Sequence, residues 1–176
     1  MSINFLKKEL VVKKLFVSAL VVLGLTSLVS AQTSGQVAAN LSVTIKQALS
    51  ITESGSLNFG TAYPGYSVTP VAATASGVPL FTVLGEPSTA VTITLPASAT
   101  LLNGTNSVTF TPSVNGGQTS AQASSSALTL GSPSETLSAG GNYYMWLGGQ
   151  INNGNPLPSL LASGTYNGTY TIQVNY

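Results

Sequence analysis

After residue 31, apolar residues in this chain recur at every second position rather than at the three-and-four spacing of a helix. Val91, Ile93 and Leu95 alternate with Thr92 and Thr94, and Tyr170, Ile172, Val174 and Tyr176 alternate with Thr171, Gln173 and Asn175. Val37, Ala39, Leu41, Val43 and Ile45 alternate with Ala38, Asn40, Ser42 and Thr44. A period of two places one face of a strand in a core and the other in water. Threonine on the wet face keeps strand propensity without adding charge. Asn103-Gly104, Asn115-Gly116-Gly117, Gly140-Gly141, Asn153-Gly154, Asn167-Gly168, Pro64-Gly65, Glu86-Pro87 and Ser132-Pro133 supply the turns between such runs. The pattern predicts strands at roughly 37–45, 47–53, 57–60, 66–72, 79–84, 90–96, 106–112, 126–130, 142–151 and 166–176. Ser113 to Ala127, with Gly-Gly and Ser-Ser-Ser, reads either as a flexible loop or as a weak strand with a wet face. Many short strands at this spacing imply an all-β chain, an antiparallel β-sandwich, with no helix, internal repeat or domain boundary.

The first 31 residues follow another logic. Lys7, Lys8, Lys13 and Lys14 precede the uncharged apolar run Leu15 to Val29, and Val29-Ser30-Ala31 has the small residues a signal peptidase reads. The run is nearer 15 than the ~20 residues that span a bilayer. The expectation is a signal peptide at 1–31, an N-terminal arm or first strand at 32–45, and a sandwich at 46–176. The product would be secreted, with no membrane span after signal removal.

Charge and chemistry narrow the function. The chain has five lysines, four glutamates, no arginine, no aspartate, no histidine and no cysteine. After Ala31 only Lys46 stands against Glu53, Glu86 and Glu135, a net charge of −2. Serine or cysteine triads need histidine, and zinc sites with imidazole or thiolate ligands need histidine or cysteine. Calcium and magnesium usually take several carboxylates, and nucleic acid needs several cationic contacts. No catalytic, cofactor-binding or metal-binding residue is therefore expected, no cofactor and no nucleic-acid partner. A carboxylate pair drawn from the three glutamates is the one catalytic device left on paper. The absence of cysteine also means that disulfides do not support this exported domain.

Specific residues carry a family resemblance. Leu57-Asn58-Phe59-Gly60-Thr61 with Pro64-Gly65, Phe81 to Pro87, Val91 to Pro96, Gly148-Gly149 and Gly164 to Tyr176 occur in a characteristic order. Together they resemble the bacterial secreted proteins of domain-of-unknown-function family 4402. More distantly they are similar to spore-coat-U and Csu-type fimbrial subunits, with an early Asn-Phe-Gly and a closing Gly-Xaa-Tyr strand. The likeness spans nearly the whole mature chain. It implies an immunoglobulin-like sandwich at the cell surface, a pilin-like subunit completed by an N-terminal donor strand from a neighbour. The partners it implies are other copies of the chain, a periplasmic chaperone and an outer-membrane secretion partner. The chain departs from the spore-coat-U pattern in lacking cysteine.

Two functional readings follow. In the first, Val37, Ala39, Leu41, Val43 and Ile45 add as a strand to a neighbour's sheet, and the receiving edge is the closing strand with Tyr170, Ile172, Val174 and Tyr176. The plainer alternatives are the first strand and an ordinary core strand of the same sandwich. The second reading is a monomeric adhesin or carbohydrate-binding module. Tyr144 and Trp146 share one strand face and would stack on sugar rings, while Tyr143, Met145 and Leu147 share the other face. One of the two sets must be core.

Overall fold

The computed structural model describes residues 39–176. Its strands are β1 Ser50–Ser54, β2 Leu80–Leu84, β3 Ala90–Thr94, β4 Ala99–Asn103, β5 Asn106–Gly117, β6 Ser126–Ala127, β7 Ser134–Thr136, β8 Asn142–Ile151 and β9 Gln173–Asn175. One sheet has the order β1-β2-β8-β5-β4, with β6 also on β5; the other has the order β7-β3-β9. Every strand pair is antiparallel. The chain is an all-β sandwich, as the period of two implies. It divides into two units between Val43 and Thr44, and both sheets lie in the second.

β8 organises the large sheet. Its register sets Met145 opposite Phe81, Tyr143 opposite Val83, Leu147 opposite Val114 and Ile151 opposite Phe110. All eight side chains are buried in one cluster with Val91 and Ile93 of the small sheet and with Leu95 just beyond β3. The Tyr143, Met145, Leu147 set is therefore the core face. Gly116 lies opposite Met145, and a Cβ there would come within 2.6 Å of the Tyr143 hydroxyl. Glycine leaves the space that the tyrosine ring occupies. Pro112 lies inside β5 without disrupting it, because β4 pairs with residues 106–110 and β6 with 115–116. The proline, which lacks an N–H, falls in the gap between them.

The other face of β8 is roofed. Val71 exchanges backbone hydrogen bonds of 2.9 and 2.7 Å with Gly149, and a Cβ on Gly148 would overlap the Val71 carbonyl oxygen and the Ala73 amide. The Gln122 side chain holds this loop by donating to the carbonyls of Ala73, at 2.7 Å, and Ala75, at 3.0 Å. Ala73, within this loop, is buried at 3% exposure.

Several expected strands differ from the observed ones. Pairing begins at Ser50, so the described part of 37–45, residues 39–45, is not a strand of this sandwich. At 57–60, Leu57 and Phe59 alternate because both pack on the core. Their backbone does not pair; Asn58 Oδ1 accepts from the Gly60 amide at 2.7 Å and turns the chain. Of 66–72, only Val71 makes a bridge. The loop alternative for 113–127 is corrected at its start: β5 runs on to Gly117 along β8. The 3-10 turn Gln122–Ser124 follows. The hairpin at Asn103-Gly104 is shifted by one residue. Asn103 pairs with Asn106, so the loop is Gly104-Thr105, with Gly104 at φ +60°, the first-position glycine of a type II′ turn. β7 was not legible, since Ser-Glu-Thr has no apolar alternation; it exists through its pairing with β3. The closing strand shrinks to β9 with a bridge from Asn167 to Leu102.

Two tyrosines tie the sheets together. Burial first, then a hydrogen bond to Glu135 and the charge of that carboxylate, raises the Tyr143 hydroxyl far above the usual tyrosine range. Burial pushes Tyr170 up to about 12, and its hydroxyl donates to the Pro96 carbonyl at 2.9 Å. The unfolded chain, with tyrosines near 10, releases these protons first. Their contribution to stability is thus fully present below pH ~10 and is lost as the pH rises toward ~12 and beyond. The denaturation midpoint should fall over that window, and Tyr143→Phe with Tyr170→Phe should flatten the fall. An equally steep profile in the double variant would contradict the assignment.

Candidate functional site

The described part of the arm presents an unpaired apolar edge. Leu41, Val43 and Ile45 are 91%, 83% and 85% exposed, and Ala39 is exposed as well. Val37 lies outside the described residues. Such exposure is costly for an aliphatic side chain, since burying one fully stabilises by about 1.5–3 kcal/mol. Burial starts at Leu49, which packs against the core.

The closing segment offers the complementary deficit. Ile172 is buried and Tyr170 and Val174 are half-buried against the core, so alternate side chains point inward as the spacing predicts. Tyr170 also meets the Phe110 ring edge-on at 5.8 Å. Yet between the Asn167 bridge and β9, residues 168–172 make no backbone hydrogen bond to other described residues. β9 pairs with β3 on one side and is the edge of its sheet on the other. The edge at β1 differs, because all five of its residues are exposed. A strand added at β1 would cover little of the core, whereas one added along 168–175 would lie at the core's margin.

Tyr176 stands at the end of this edge. Its hydroxyl donates to the Gln47 carbonyl at 2.6 Å and accepts from the Glu86 amide at 2.7 Å. The Gln47 amide donates to the Glu86 carboxylate at 2.8 Å, and the Lys46 ammonium lies 5.3 Å from the centre of the Tyr176 ring. Beneath them, a Cβ on Gly85 would come within 2.7 Å of Leu49 and of the Tyr176 hydroxyl. Two of the four charged side chains after residue 31 are therefore placed at one junction.

The structure corrects the proposed sugar platform. Trp146 is only 5% exposed; its face of β8 is the roofed one, and its ring stacks with Tyr144 at 6.4 Å. It has too little free surface to stack on a sugar. Among the described residues, the most exposed aromatic side chains are instead Tyr63 and Tyr66, at 68% and 71%. They flank a turn closed by Tyr66 N–H to the Tyr63 carbonyl at 3.2 Å, with Gly65 at φ +82°. Two further bonds join the turn to Leu157. The signal in the sequence was tyrosine on both sides of Pro64-Gly65.

Two of the three carboxylates have identifiable neighbours: Glu86 accepts from the Gln47 backbone amide at 2.8 Å, and Glu135 lies near enough to the Tyr143 hydroxyl to help raise it. Among the described residues, no group of three or more metal-ligating acidic, histidine or cysteine side chains comes together. Among the same residues, no helix is long and apolar enough to cross a membrane.

A family model described as a domain of unknown function, DUF4402, matches residues 35–176. The chain belongs to the DUF4402 family. No curated protein matches this DUF4402 chain. The family match starts within the arm, before Val37, and runs through Tyr176, so the arm from residue 35 and the closing edge both fall within the matched DUF4402 domain.

Proposed function

We propose that this DUF4402 protein is an exported structural subunit that polymerises by strand addition into a surface filament, pilus or coat. The observation that carries the reading is a pair of matching deficits. The described part of the arm, residues 39–45, bears apolar side chains on alternate positions with no strand partner among the described residues, and the outer side of the core-flanking edge at 168–175 has no strand neighbour among them. Main-chain hydrogen bonds would supply affinity, and Leu41, Val43 and Ile45 on the added strand would supply specificity. The surface agrees, since edge strands of monomers usually carry charge that prevents pairing, and here Lys46 is the sole lysine after residue 31. The pilin-like character, the immunoglobulin-like relationship, export by the signal at 1–31, and a chaperone with an outer-membrane partner belong to the same proposal. Electron microscopy and light scattering on the mature chain, with and without residues 32–41, test it. Filaments that vanish with the arm support it, and a folded monomer in both samples overturns it.

A second reading rests on Tyr63 and Tyr66. Two exposed rings on a pinned turn form a pre-organised surface that loses little entropy on binding, suited to stacking on a neutral sugar. Saturable binding of a soluble neutral polysaccharide by the monomer, lost in Tyr63→Ala with Tyr66→Ala, is the expected result. Unchanged mobility in affinity electrophoresis through dextran, xyloglucan and galactomannan gels would dispose of it.

A further inference from the structure

The junction around Tyr176 joins two elements that strand addition would load. The free arm ends at Ile45, and the chain is first held at Lys46 and Gln47. The receiving edge ends at Asn175 and runs directly into Tyr176. The Tyr176 hydroxyl bonds the Gln47 carbonyl although the two residues are 129 positions apart in sequence. Glu86 completes the junction from the end of β2, by its amide to Tyr176 and its carboxylate to Gln47. Without these bonds, the path from the arm root to the receiving edge would run through β1, β2 and the large sheet, then across the core.

We propose that Tyr176, Gln47 and Glu86 form a mechanical coupling that passes tension from the root of a subunit's donated arm to its own receiving edge. Pull along a filament then runs beside the core rather than through it. The inference rests on the strand-addition reading and makes Tyr176 a positioning residue for assembly. Hydrogen bonds that bridge two strands resist best when load acts on them together, and this junction has three within one cluster. The Gln47 to Glu86 bond has a charged acceptor, which makes it the stronger kind.

The chain has no cysteine, so engineered thiols give unique handles for single-molecule pulling. In one geometry the handles are Thr44→Cys and Thr171→Cys, at exposed positions on either side of the junction. In the other they are Ser76→Cys and Thr105→Cys, also exposed, which load the large sheet and not the junction. Tyr176→Phe keeps the ring and removes both hydroxyl bonds. It should speed rupture at a given load by roughly 5- to 30-fold in the first geometry, the factor that loss of one or two hydrogen bonds makes. The second geometry should be unchanged. Glu86→Ala, which removes the Gln47 acceptor and leaves Tyr176 intact, should show the same selectivity if Tyr176→Phe does not fold. Equal weakening in both geometries would make the junction an ordinary stabiliser, and no change in the first would mean it bears no load; either overturns the coupling. The pulling uses single subunits, so wild-type protein that never polymerises would defeat the assembly reading separately.

Discussion

Subunits carrying Leu41→Lys and Val43→Lys should remain monomeric at concentrations where the wild type forms filaments, with the thermal midpoint of the monomer unchanged. Both side chains are more than four-fifths exposed, so a lysine there removes no packing. In an added strand the same positions would become buried, and an unpaired charge is among the costliest groups to bury. Two such charges on one strand should abolish assembly rather than weaken it. Sedimentation and electron microscopy give the first readout, and circular dichroism melting gives the second. A matching loss of melting temperature would instead make the arm part of its own fold.

The largest expected loss of stability lies within the sandwich, at Gly148 of β8. Gly148→Val should destabilise the domain by about 3 kcal/mol or more, at the upper end of overpacking costs. That corresponds to a fall of roughly 10 °C in melting temperature for a domain of this size. The new side chain meets the backbone of Val71 to Ala73, which no rotamer change relieves. Displacing that backbone breaks the paired bonds to Gly149 and the Gln122 bonds to Ala73 and Ala75. Trp146 shares this roofed face, so its fluorescence should shift to the red as the roof lifts. A wild-type melting temperature with blue emission would show that the loop is not held there.

The alternation at Val91 to Leu95 identified the buried face of that segment, because burial of every second residue is a local consequence of the pleat. At Tyr143 to Leu147 it left open which set is core, and Trp146 on the other face is buried too. The same signal misled at Leu57 and Phe59, where alternate residues are packed on the core but the backbone between them turns back on itself. It was silent at Ser134–Thr136, a strand made by its partner. The arm and the receiving edge were both legible as alternating runs. That the arm is exposed and the edge unpaired was not.

The sequence by itself determined the all-β class and several of the turns, among them Pro64-Gly65, Glu86-Pro87 and Gly140-Gly141, though not Asn115-Gly116-Gly117, which lies inside β5. Those follow from composition and from a two-residue period, which need no knowledge of distant residues. Tertiary structure alone decided that Trp146 is roofed and that Tyr63 and Tyr66 are the most exposed aromatics among the described residues. It also placed Tyr176 on Gln47 and the Gln122 side chain on the Ala73 and Ala75 carbonyls, contacts spanning 129, 49 and 47 positions. Alternation tells which face of a strand is wet; which segment covers that face, and which edge stays open, depends on where the rest of the chain returns.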